Sequence, residues 1–74
     1  METKEVIVGE RKFIVKELKA IQLDDINFED RKSAVKMQVQ LSTGLNDEDY
    51  NNLTVKERGA LLRAIDELNF HQTA

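Results

Sequence analysis

The chain predicts an α+β fold, a β-hairpin packed on three to four short helices, with the last helix, about residues 55–69, the longest. Three observations carry that prediction. Two β-branched and aromatic runs, Val6-Ile7-Val8 and Phe13-Ile14-Val15, lie either side of Gly9. Beyond residue 18 the apolar residues recur at helical spacing rather than in alternation. Helix boundaries are also written into the chain as capping residues, described below.

The hairpin occupies about residues 4–17. A four-residue loop over residues 9–12 leaves the face assignment unchanged, whereas a two-residue loop, Gly9-Glu10, places glycine first, as a type II′ turn requires. That register sets Val6 opposite Phe13 and Lys4 opposite Val15, so Val6, Val8, Phe13 and Val15 share a core face. Ile7 and Ile14 share the other face with Glu5 and Lys12. A lone hairpin is marginal in water, so the helices, within about 19–69, must cover the core face.

Leu18 to Ile26 carries apolar residues at 18, 21 or 23, and 26, which suits a short helix or a helical turn. A firmer helix spans about Glu29 to Ser42, with Ala34, Val35, Gln38 or Val39, and Leu41 near one stripe. Gly44 follows where a left-handed cap is due. Asn46 caps the next short helix, and Asp47, Glu48 and Asp49 in its first turn suit the helix dipole. Thr54-Val55-Lys56-Glu57 is a capping box. The helix it opens sets Val55, Arg58, Leu61, Leu62, Ile65 and Leu68 three or four apart. Gly59 interrupts it, through either close packing or tolerance, and residues 70–74 are expected to fray.

A chain of 74 residues reads as one domain, with a core that hides only roughly 60% of the unfolded surface. Domains this small usually need disulfides, a metal or association. Cysteine is absent and histidine occurs once, so association, as a homo-oligomer or with a partner, is what remains. The net charge is −3, and its local balance swings: residues 21–30 hold four acids and no base, residues 31–45 three bases and no acid. No face gathers enough cations for a nucleic-acid backbone, so nucleic acid is not an expected partner. No apolar run reaches bilayer length and no signal-type stretch opens the chain, so no membrane partner is expected and the cytoplasm is the default compartment.

Catalytic constellations are not found, and the chain is not expected to be an enzyme. The single histidine, His71, sits four residues from the end, where geometry is poorly fixed. Asn46-Asp47-Glu48-Asp49 fails as a calcium loop, because Asn52 and Arg58 fall where glycine and a bidentate glutamate are needed. Helix capping explains that cluster, and no cofactor or metal is implied. Asp24, Asp25, Glu29 and Asp30 read as a solvated acidic face able to guide a basic partner. Gly9, Gly44 and Gly59 are isolated and form no phosphate loop. A helix–turn–helix can be drawn over Asp47–Asn52 and Val55–Asn69, but Glu57, Asp66 and Glu67 offset Lys56, Arg58 and Arg63 on its second helix.

Apolar residues beyond the needs of a small core are the remaining signal. Ile7 and Ile14 on the hairpin, Met37 and Val39 on the middle helix, and Ile65 and Phe70 near the end are the candidate partner-binding residues. The hairpin adds two open edges that can accept a strand.

The segment from Glu5 to Leu18, EVIVGERKFIVKEL, resembles the opening of the small tail assembly chaperones of long-tailed bacteriophages and prophages. Leu41-Ser42-Thr43-Gly44-Leu45, then Asp47-Glu48-Asp49-Tyr50 and Leu53, then Leu61-Leu62 and Ile65-Asp66-Glu67-Leu68-Asn69, are similar to that family's second half. The resemblance implies a non-catalytic assembly factor whose partners are the helical tape-measure protein, which it binds and keeps soluble, and the tail-tube protein, whose subunits it helps recruit in tail-tube assembly. It also implies residence in the host cytoplasm and absence from the finished virion. No residue-level binding motif carries over. The alternatives are a small DNA-associated regulator, antitoxin-like or repressor-like, and a structural virion or connector subunit.

Overall fold

A computed structural model describes residues 2–70. The fold is α+β: strands β1 (Thr3–Val8) and β2 (Arg11–Lys16), then helices α1 (Ala20–Asp24), α2 (Arg31–Thr43), α3 (Asp47–Asn51) and α4 (Val55–Asn69). The antiparallel hairpin pairs Val6 with Phe13 and Lys4 with Val15, the register of the two-residue loop rather than the four-residue one. Gly9 has φ +60° and, among the described residues, no non-glycine residue has positive φ, so glycine takes the first turn position and Glu10 the ordinary second. That is the pattern of a type II′ turn.

Inward residues of the hairpin meet α2 and α4, which pack against each other and against the strands. Phe13 and Val15 from β2, Val39 from α2, and Leu61, Ala64 and Ile65 from α4 form the buried cluster. Val15, Val39 and Leu61 are fully buried, and each such side chain contributes roughly 1.5–3 kcal/mol of transfer free energy. Val6, Leu18, Leu45, Tyr50, Leu53, Leu62 and Leu68 pack around it.

Helix α4 fits the hairpin by length. Its 15 residues span about 22 Å at 1.5 Å per residue, and a six-residue strand spans about 20 Å. The two are fastened at both ends. At the turn end, Arg11 Nη1 lies 3.1 Å from Glu57 Oε2. The same carboxylate closes the capping box: its Oε1 accepts the Thr54 N–H at 2.8 Å, and Thr54 Oγ1 accepts the Glu57 N–H at 3.1 Å. At the open end, Asn69 Oδ1 accepts the Leu18 N–H at 2.7 Å while Asn69 Nδ2 donates to the Ile65 carbonyl at 2.8 Å. Lys4 also pairs with Glu67 there.

The other boundaries follow local chemistry. Asp30 caps α2 by accepting the Ser33 N–H at 3.2 Å, so the helix begins at Arg31, two residues after the expected start. Gly44, at φ +78°, ends it in the left-handed conformation. Asn46 Oδ1 accepts the Asp49 N–H at 2.8 Å and starts α3. A Cβ at Gly59 would meet nothing within 4 Å, so this glycine reflects tolerance, not close packing. Phe70 is the C-cap of α4, its N–H reaching the Asp66 carbonyl at 2.9 Å; the rest of the expected frayed tail, 71–74, lies outside the described residues.

Two expected positions are corrected. Leu41 is only half-buried, and Ser42 takes the fully buried place one residue on. Val55 is 82% exposed, because the first helical residue of α4 precedes the turn that meets the core. Of the alternatives 21 and 23 in the first helical stretch, Leu23 is the half-buried one and Ile21 is 66% exposed, with buried Ile26 just beyond α1.

Glu57 makes stability depend on pH. The Thr54 amide, and then the Arg11 guanidinium, hold its carboxyl below the usual glutamate range against the opposing effect of desolvation. A carboxyl with a lowered folded-state pKa stabilises fully above its unfolded pKa, roughly pH 4 to 4.5, and loses that contribution as pH falls further. Thermal melts from pH 7 to 2.5 should therefore show an acid decline that is shallower in Glu57→Gln, which keeps an amide-accepting oxygen but has no charge to lose. Thr54→Ala should cost about 0.5–2 kcal/mol at neutral pH, where both partners of the box are intact.

Candidate protein-docking surface

A two-stranded sheet with helices on one side leaves its second face to solvent. Outward side chains on this face come from Thr3, Glu5 and Ile7 of β1 and Lys12, Ile14 and Lys16 of β2. Glu5 pairs with Ile14 and Ile7 with Lys12, so the four central residues form a checkerboard. One diagonal holds the ion pair of Lys12 Nζ and Glu5 Oε2 at 3.7 Å. The other holds Ile7 and Ile14, 65% and 47% exposed. Diagonal neighbours in a sheet stand about 7–8 Å apart, close enough for a single apolar group to touch both. The exposed ion pair adds little to stability, about 0–1 kcal/mol, so it is easily displaced.

The remaining candidates divide. Phe70 is 52% exposed at the end of α4, and Met37 is half-buried on α2. Val39 and Ile65 are corrected: they are 0% and 1% exposed and belong to the core. Ile65 follows Leu61 by four residues and so shares its hairpin-facing side, and Val39 stands on the face of α2 that meets the same cluster. Counting apolar residues as surplus misplaced both. The count also missed Phe28, 56% exposed between α1 and α2, which the sequence marks only by its acidic neighbours.

Of the acidic groups singled out by sequence, Asp47 is engaged across two elements. Asp47 Oδ1 accepts from Gln40 Nε2 at 2.7 Å and lies 3.4 Å from Lys36 Nζ, and these hold its carboxyl below the usual range. The acid cluster therefore ties α3 to α2 as well as opening α3. Among the described residues, no group of three or more His, Asp or Glu side chains is placed to hold a metal ion, and no helix is long and apolar enough to cross a membrane. His71 lies outside the described residues. Lys56, Arg58 and Arg63 on α4 are all exposed, and α3 is only five residues long. No family model matches the chain, and no curated protein or solved structure matches it.

The two groups of isoleucine and valine should respond oppositely to charge. Ile7→Lys with Ile14→Lys should shift folding stability by less than about 1 kcal/mol, as surface changes do. Val39→Lys or Ile65→Lys should abolish cooperative unfolding, because an unpaired charge enters a dry core. Urea titrations followed by circular dichroism separate the cases.

Proposed function

We propose that this chain is a non-catalytic protein-binding assembly factor, and specifically a bacteriophage tail assembly chaperone that holds the tape-measure protein during tail-tube assembly. The observation that carries the reading is the uncovered hairpin face, where Ile7 and Ile14 stand exposed between two open strand edges. Such a face suits an apolar stripe on a long helix, with the edges free for main-chain pairing. Phe70, at the end of α4, adds a second exposed apolar anchor. A client helix laid on the hairpin would bury apolar surface that this small fold leaves to water, and the masking would be mutual.

Co-expression with the tape-measure protein of the same gene cluster tests the reading, using light scattering after size-exclusion chromatography. A client that is insoluble alone should emerge in a soluble complex with this chain, and Ile7→Lys with Ile14→Lys should remove the complex while leaving the chain folded. A client that is soluble alone and passes through the column without this chain would refute the chaperone function.

A further inference from the structure

A separate surface, in the helix layer, carries chemistry that client binding leaves unused. Between α2, α3 and the start of α4 runs a groove of about 430 Å³ with Lys32, Lys36 and Arg58 on its walls and Tyr50, Leu53 and Val55 as its apolar lining. A second hollow of about 330 Å³ shares Lys32 and Arg58 and adds Arg31 and Val35. Every charged side chain lining the two is a cation, on a chain whose net charge is −3. Lys36 is paired with Asp47, but Arg31, Lys32 and Arg58 have no ion pair among the described residues.

The complementary chemistry is on the same molecule. Asp24, Asp25 and Glu29 are exposed and likewise make no ion pair among the described residues. Phe28 stands among them, 56% exposed, an aromatic anchor flanked by carboxylates. The groove offers the reverse, apolar side chains beside cations, with Val55 82% exposed among its lining residues.

We propose that the chain forms a two-fold homodimer in which the acidic 24–30 segment of each copy, led by Phe28, docks in the basic groove of the other. The acidic segment runs directly into α2, whose first residues Arg31 and Lys32 line the groove, so the two patches are neighbours. Adjacent patches of opposite sign are self-complementary about a two-fold axis, which uses the same contact twice and closes the assembly. Charge complementarity sets the register, and Phe28 and Val55 supply the apolar area that opposite charges alone do not. None of the groove-lining residues belongs to the hairpin, so the dimer leaves the Ile7 and Ile14 face free.

Sedimentation velocity on the full chain tests this, with circular dichroism as a control for folding. At low salt the chain should sediment with twice its monomer mass. It should shift toward monomer near 1 M salt, where the Debye length falls to about 3 Å. Phe28→Ser should weaken association about tenfold or more. Lys32→Glu with Arg58→Glu, and separately Asp25→Lys with Glu29→Lys, should each give a monomer, and mixing the two variants should restore a dimer because both symmetric contacts regain opposite charge. A chain that is monomeric at low salt and high concentration overturns the proposal, as does a dimer indifferent to both the charge reversals and Phe28→Ser. A monomer that shifts duplex DNA at low salt, and loses the shift with Arg58→Glu, also overturns it and assigns the groove to phosphates.

Discussion

The fold depends on one constraint: a two-stranded sheet has a single face that this chain's helices can cover. Phe13 and Val15 meet Val39 of α2 and Leu61, Ala64 and Ile65 of α4, and that cluster is nearly all the core there is. Once α2 and α4 lie on one side, the opposite side of the same strands must be wet. Ile7 and Ile14 are exposed for that reason, and no rearrangement that keeps the hairpin register can bury them on the same helices. The candidate docking face is therefore a consequence of the topology. It is also the place where association would add most to a fold with so little interior.

Holding the hairpin in register against α4 is the work of a few polar contacts at its two ends. Glu57 serves its own helix and the hairpin at once: it closes the capping box with Thr54 and reaches Arg11 beside the turn. Arg11 also lies 5.0 Å from the centre of the Phe13 ring, so the charge pair borders the core instead of standing apart in solvent. Asn69 does the corresponding work at the open end, joining the last turn of α4 to the chain leaving β2. With the strands fixed between these two points, the outer face is a preformed surface, and a client would meet it without first ordering it.

Local features of the fold were legible in the sequence because their causes are local. Gly9 marks the turn and the strand alternation fixes the faces, Thr54 and Glu57 announce α4, and Gly44 and Asn46 punctuate the loop between α2 and α3. Periodicity could not tell which apolar residues belong to the core. Val55 keeps the helical spacing of Leu61 and Leu62 but stands a turn and a half ahead of the covered strand region, in solvent. Val39 and Ile65, read as spare, belong to the cluster, because α2 and α4 each turn only one face to the hairpin and these two side chains stand on it. The Arg11–Glu57 and Leu18–Asn69 contacts join positions far apart in sequence, and nothing in either segment alone marks them. Of the candidate site, the outer hairpin pair was legible from strand alternation, whereas Phe28 was not.

The central claim is that the uncovered hairpin face, and not the core, is what a client touches. The chain's five isoleucines allow a direct test, since Ile7, Ile14 and Ile21 are exposed while Ile26 and Ile65 are buried. Methyl-labelled isoleucine spectra recorded during titration with a helical tape-measure fragment read all five positions at once. The account predicts that the Ile7 and Ile14 methyl signals shift or broaden while those of Ile26 and Ile65 hold their positions. Movement of the Ile26 and Ile65 signals with Ile7 and Ile14 unchanged would contradict it.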